Sequence, residues 1–348
     1  MPKVFLFCLW NQELPTKNAI EFCIRGTKIG ILKEKGRGKM VQAVILFVVG
    51  LILICLGGDR LVDAAVAIAK KLGIPQIVVG ATIVSLGTTL PEILVSTTAA
   101  FDGSAAIAAG NAFGSIICNT ALIAGLTQTI RPTKQVERAS LSWRSIFFFV
   151  VLVGLNVVGF LTGAFGRPVG VVLLGLFIVY ACLTVMRAPA EGGGEEKEED
   201  KENISILKQI LILIACAVCL FVGANLLVDN GILIAEAVGV PERVIAVTFI
   251  ALGTSLPELM TSVMSLIKGY GNVGLGNVIG ANLLNMLLVI GIPSAVAGIP
   301  LEESTIRVDM PLACLVMAVL TLPILIRKKS SRVQGVALLG IYAVYCIV

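Results

Sequence analysis

The segment Ser85-Leu86-Gly87-Thr88-Thr89-Leu90-Pro91-Glu92 lies inside a long apolar run, and Ala251-Leu252-Gly253-Thr254-Ser255-Leu256-Pro257-Glu258 repeats it 166 residues later. A carboxylate beside a helix-breaking proline is costly at membrane depth unless it binds something. The same offset pairs Gly57 with Gly223, Asp63 with Asp229, Pro75 with Pro241, Gly110 with Gly276, Asn111 with Asn277, Gly114 with Gly280 and Asn119 with Asn285, with no gap. A repeat of this length fixes the architecture before any single residue is interpreted.

Composition says where the repeat resides. Of 348 residues, 57% are hydrophobic and 14% charged, against roughly 45–50% and about 25% in soluble domains. Mean hydropathy is +0.97. These values define a polytopic membrane protein. Histidine is absent, which removes zinc-type catalysis, histidine triads and histidine proton relays. The nine cysteines are scattered in apolar runs and outline no disulfide framework. Cys216 and Cys219 form a CxxC inside an apolar helix, where small packing residues are the simpler reading.

At ~20 apolar residues per span, the chain predicts ten transmembrane helices, near 41–70, 76–100, 104–129, 144–162, 168–186, 205–236, 242–267, 272–299, 310–327 and 332–348. Residues 1–39 are too short in apolar content to span and read as a poorly structured or non-native N-terminal extension. The first repeat half occupies 40–186, an acidic, glycine-rich flexible linker 187–204, and the second half 205–348. Five spans per half is an odd number, so the second half enters the membrane from the opposite side. The fold class is therefore all-α, with two inverted five-helix repeats, an arrangement that secondary transporters use with the substrate site at the repeat interface. Lys and Arg set the orientation. The loops on one face carry Lys70, Lys71, Arg131, Lys134, Arg138, Arg144, Arg187, Lys268 and Arg327 to Lys329 among others, and those on the opposite face only Arg167, Arg243 and Arg307; residues 1–39, with eight Lys and Arg, would fall on that opposite face, a second reason to read them as non-native. The basic face is expected to be cytoplasmic, in a cell membrane, with the linker inside and both ends of the membrane domain outside.

On a helix, Thr82, Ser85, Thr88 or Thr89, Glu92 and Ser96 form one polar stripe, and Thr248, Thr254 or Ser255, Glu258, Ser262 and Ser265 repeat it. Pro91 and Pro257 each deny a partner to a carbonyl one turn earlier, on Gly87 and Gly253, so broken helices are expected at both copies. Asn111, Ser115 and Asn119 share a second face, as do Asn277, Ala281 and Asn285. The pooled donors are carboxylate, hydroxyl, amide oxygen and backbone carbonyl, a hard-cation set suited to Ca²⁺ or Na⁺. Two carboxylates neutralise one divalent or two monovalent ions, so the two cations compete. An isolated Ser or Thr in such a helix usually bonds only its own backbone, and Asp63 and Asp229 read as structural.

The two motifs, each followed by a Gly-Asn-x-x-Gly segment, resemble the alpha repeats of the calcium/cation antiporter superfamily, in its prokaryotic sodium/calcium exchanger branch. The resemblance covers about 41–348. It implies alternating access, with Glu92 and Glu258 as central calcium ligands shared with sodium, and Thr88 and Thr254 adding calcium-site oxygens. It implies flanking sodium sites at Thr89, Ser255 and the carbonyls of Ser85 and Ala251, with Ser115, Asn119 and Asn285 completing the ring. Relatives often carry Ser where this chain has Ala281 and Asn where it has Ile116, and some carry Asp where it has Asn285. These departures bear on sodium coupling more than on calcium binding.

The leading expectation is Na⁺/Ca²⁺ antiport, with proton/calcium exchange on the same fold as the alternative. The expected partners are Ca²⁺, Na⁺ or H⁺ and membrane lipid, with no nucleic acid and no cofactor. An enzyme is not expected: there is no HExxH, and no acid stands beside a nucleophile–base pair.

Overall fold

The computed structural model describes residues 37–136, 138–191, 205–237 and 253–347. Ten helices lie in these residues: α1 (Arg37–Leu72), α2 (Gln76–Phe101), α3 (Ala106–Ile130), α4 (Arg138–Thr162), α5 (Arg167–Glu191), α6 (Ile206–Ala237), α7 (Leu256–Ile267), α8 (Gly271–Val296), α9 (Thr305–Arg327) and α10 (Arg332–Ile347). Eight of them are long and apolar enough to cross a membrane, α7 and α10 being the shorter two. The anticipated tail before residue 37, most of the linker, Thr248 and Ala251 lie outside the described residues. Two-residue strands β1 (Ala164–Phe165) and β2 (Ile299–Pro300) pair antiparallel, joining the loops after α4 and α8.

The layering follows from polarity. In the most apolar window of each helix, 94% of α8 and 83% of α3 is buried in protein, against 22% of α1. The two helices with the Gly-Asn-x-x-Gly segments thus form the centre, and the most hydrophobic ones coat it. α1 has 36 residues, ~54 Å at the helical rise, too long for a ~30 Å hydrocarbon layer without tilt. α1 crosses α6 backbone to backbone: a Cβ at Gly50 would stand 2.8 Å from the Gly223 carbonyl, and one at Gly57 3.3 Å from the Cys216 carbonyl. Under the 166-residue offset these two contacts are mirror images.

The turns repeat as well. Gly103 after α2 and Gly269 after α7 occupy equivalent positions with φ of +80° and +81°, a conformation that favours glycine. On the basic face Lys268 Nζ lies 2.7 Å from Asp59 Oδ1 and 2.7 Å from Asp63 Oδ1 and donates to the Asp59 carbonyl at 2.8 Å. One ammonium thus ties α1 to the end of α7.

Two expectations are corrected. α2 is not broken at Pro91: Ser85–Phe101 is one α-helix with the proline inside, and the irregularity is a π-helical turn at Gly80–Val84. Arg144 is not in a loop. α4 starts at Arg138 rather than near residue 144, and Arg144 is fully buried there, 4.4 Å from the Trp143 ring and donating to the Ser140 carbonyl at 3.0 Å.

Candidate cation site at the repeat interface

Each copy contributes one carboxylate, and helix packing drives the two copies together. α8 of the second repeat lies along α2 of the first. A Cβ at Gly280 would sit 2.5 Å from both the Ala81 carbonyl and Ser85 Oγ, and Cβ atoms at Gly276 and Gly80 would collide with the Ile77 and Val273 carbonyls. Only glycine permits that approach. The wide turn at Gly80–Val84 leaves the Ala81 carbonyl to accept the Tyr180 hydroxyl at 2.8 Å. Further wide turns occur at Cys118–Ala124 in α3 and Asn285–Ile290 in α8, at the mirrored residues Asn119 and Asn285. Such turns interrupt regular backbone bonding and recur at functional sites.

The side chains cross over between copies. Glu258 accepts the Thr89 hydroxyl at 3.3 Å and has Thr88 beside it. Thr254 lies beside Glu92, the reciprocal arrangement. Thr88 also donates to Asn277 Oδ1 at 3.2 Å. Ser85, Thr88, Thr89, Glu92, Asn119, Glu258 and Asn285 have no exposed surface, and Ser115 and Ser255 have 2%. The structure therefore brings ten of the eleven expected ligand residues into the region between α2, α3, α7 and α8, and Ala251 is the one outside the described residues.

Many of their polar atoms have nothing to bond. Both Glu92 oxygens, Glu258 Oε2, Ser115 Oγ and both amide atoms of Asn119 and of Asn285 are buried without a hydrogen-bond partner among the described residues. Each such group costs ~1–3 kcal/mol if left unmet, and more where no water can reach. A hard cation coordinated by these oxygens would offset that cost. Among the described residues no three His, Cys, Asp or Glu side chains converge.

Several buried asparagines outside the sequence-based ligand set bond to groups in or beside the site. Asn111 Nδ2 donates to Ser96 Oγ at 2.8 Å and to the Glu92 carbonyl at 3.2 Å, and Asn282 Nδ2 donates to Thr120 Oγ1 at 2.7 Å. The signal for Asn111 and Asn277 was present in their identical spacing. What spacing could not show was that they hold backbone and hydroxyl groups.

An inverted-repeat helical bundle with paired carboxylates in a dry, oxygen-rich centre defines a membrane transporter for small hard cations. The model of the sodium/calcium exchanger protein family matches residues 42–186 and 208–348, and the chain belongs to that family. It is 35% identical over 309 residues to an uncharacterized membrane protein of Methanocaldococcus jannaschii, covering 88% of this chain and 97% of the relative. It is 28% identical over 347 residues to the sodium/calcium exchanger MaX1 of Methanosarcina acetivorans, covering 87% and 97%. Among solved structures, the sodium-calcium exchanger NCX_Mj soaked with Na⁺ and Sr²⁺ superposes with a TM-score of 0.75 at 33% identity, covering 88% of this chain and 99% of that one.

Proposed function

We propose that the protein exchanges Na⁺ for Ca²⁺ across a cell membrane by alternating access, with the ions competing for the Glu92/Glu258 site. The observation that carries this reading is the cluster of buried carboxylate, hydroxyl and amide atoms without partners at the repeat interface. Glu92, Glu258, Thr88 and Thr254 bind calcium. Thr89, Ser255, Ser115, Asn119, Asn285 and the carbonyls of Ser85 and Ala251 complete the sodium positions. Two negative charges accommodate one Ca²⁺ or charge-compensate two Na⁺, so one cargo leaves before the other binds. The basic face is cytoplasmic, by the distribution of Lys and Arg. The tilted, lipid-facing pair α1 and α6 moves across the core to open the site to one face at a time.

Calcium flux in proteoliposomes, with sodium and proton gradients imposed separately, tests the reading. An outward-directed sodium gradient at clamped pH drives calcium uptake, and Glu92→Gln reduces that uptake by more than 100-fold. Uptake driven by a pH gradient alone would favour proton/calcium exchange, which two buried carboxyls also permit. Normal uptake by Glu92→Gln would remove the site assignment.

A further inference from the structure

The asparagines Asn111 and Asn277 occupy equivalent places in the two repeats, yet they bond differently. Asn111 stays within its own half: its Nδ2 holds Ser96 Oγ at 2.8 Å and the Glu92 carbonyl at 3.2 Å, while its Oδ1 has no partner. Asn277 reaches across: its Oδ1 accepts the Thr88 hydroxyl of the first repeat at 3.2 Å, while its Nδ2 has no partner. Ser262, the counterpart of Ser96, is 2% exposed and its hydroxyl is likewise unpartnered. The idle atoms are complementary. Asn111 lacks the hydroxyl that Asn277 receives, and Asn277 lacks the serine and carbonyl that Asn111 holds.

Inverted repeats related by a pseudo-two-fold axis pass between oppositely facing states when the halves trade conformations. The unused groups match that trade. We infer that Asn111 and Asn277 are positioning residues that exchange partners during transport. In the state described here Asn111 clamps the Glu92 helix to α3, and Asn277 is engaged by Thr88. In the oppositely facing state Asn277 donates to Ser262 Oγ and the Glu258 carbonyl, and Thr254 donates to Asn111 Oδ1. The partner swap re-aims whichever glutamate helix is unclamped, so each asparagine sets the geometry of one carboxylate in one state. Every buried polar atom of the pair finds a use in one of the two states, so neither conformation is left with the larger desolvation penalty.

The energetic consequence has opposite signs for the two residues. Removing the Asn111 amide breaks two hydrogen bonds in the state described and one in its mirror. Removing the Asn277 amide breaks one and two. Each substitution therefore shifts the population of states by one net hydrogen bond, about fivefold, in opposite directions.

The test rests on the site reading above but not on sodium coupling, because it uses calcium–calcium self-exchange with radiolabelled calcium in the absence of sodium. The full-length protein is reconstituted in one orientation, and the half-saturating calcium concentration is measured from each face. Asn111→Ala is expected to raise it about fivefold from one face and lower it from the other. Asn277→Ala is expected to do the reverse, and the double variant to return both faces towards the parent values. Asn111→Ser and Asn277→Ser, which keep a short hydrogen-bonding group, show smaller shifts. If the alanine variants fail to reconstitute, Ser96→Ala and Ser262→Ala carry the same opposed prediction. Shifts of the same sign from both faces, or no shift in any variant, overturn the proposal. Loss of sodium-driven flux with the opposed shifts intact would count against the coupling ion alone.

Discussion

The central helices α3 and α8 and the peripheral pair α1 and α6 solve the same packing problem with glycine, but to different ends. α8 meets α2 along several turns, with Gly276, Gly280 and Gly80 each seated on an opposing carbonyl or hydroxyl. α1 meets α6 over a long contact, through Gly50 and Gly223 and through Gly57 near Cys216, with Ile54, Leu61 and Ala65 buried beside Leu213, Leu220 and Ala224, while the outer face of its first half is exposed. The interlocked α8–α2 contact fixes the two repeats against each other at the site, whereas the α1–α6 contact joins two helices into one body whose outer faces are exposed apolar surface. A glycine's meaning therefore depends on which elements it joins: two repeats around a site, or two helices of one peripheral pair. A core must hold ligands to within fractions of an ångström, and a gate must not.

Substitutions at these glycines sharpen the contrast. Gly280→Val places branched carbons against the Ala81 carbonyl and Ser85 Oγ. Overpacking of this kind costs ~1–3 kcal/mol or more, so a drop of several degrees in melting temperature and loss of calcium binding are expected in detergent. Gly50→Val intrudes on the Gly223 carbonyl and Leu227 amide and is expected to slow exchange by about tenfold, with equilibrium calcium binding within twofold of the parent. If binding were lost at Gly50 and the rate alone at Gly280, the assignment of rigid and mobile parts would be reversed.

A smaller effect concerns symmetry within the core. Ser115 Oγ is buried and unpartnered, and its counterpart is Ala281, with no exposed surface. Ala281→Ser supplies the missing hydroxyl, and one added neutral ligand is expected to lower the half-saturating sodium concentration about fivefold. Titration of sodium against a fixed calcium load measures it. The smallest effect is at the junction of core and periphery. Lys268→Met removes both ion pairs to α1, between side chains 20% and 39–50% exposed. Exposed pairs contribute ~0.5–1 kcal/mol each, so exchange rates should change about two- to fivefold, with the parent approaching the variant as ionic strength rises.

Much of this arrangement was legible in the sequence because inversion and ligand chemistry both leave marks at fixed spacing. Glu92 and Glu258 announce themselves as acids in apolar runs, and the 166-residue offset aligns their surroundings without structural help. The course of α2 was not legible. Pro91 removes one donor, but Asn111 binds the nearby Glu92 carbonyl and α8 packs alongside, and these tertiary contacts outweigh the local preference for a break. The wide turns at Asn119 and Asn285 were equally hidden, since one extra residue in a turn barely alters an apolar pattern. Arg144 was misplaced because counting basic residues assumes that charge shuns the bilayer. An arginine wrapped by its own helix and an indole ring can instead lie within the protein. The partner choice of Asn111 and Asn277 depends on which half faces which, and two identical sequence patterns cannot encode that difference.

The Lys268 contact has no reflection in the other half. At the mirrored positions stand Asp102 for Lys268, Asn225 for Asp59 and Asp229 for Asp63. Where one face gains attraction, the reverse arrangement brings two acids towards each other. A machine built from two copies of one plan would spend equal time facing each way when no gradient acts. Here the Lys268 ion pairs favour the posture in which α1 is drawn against α7, and nothing equivalent favours its mirror image, so the two postures differ in energy even without a gradient.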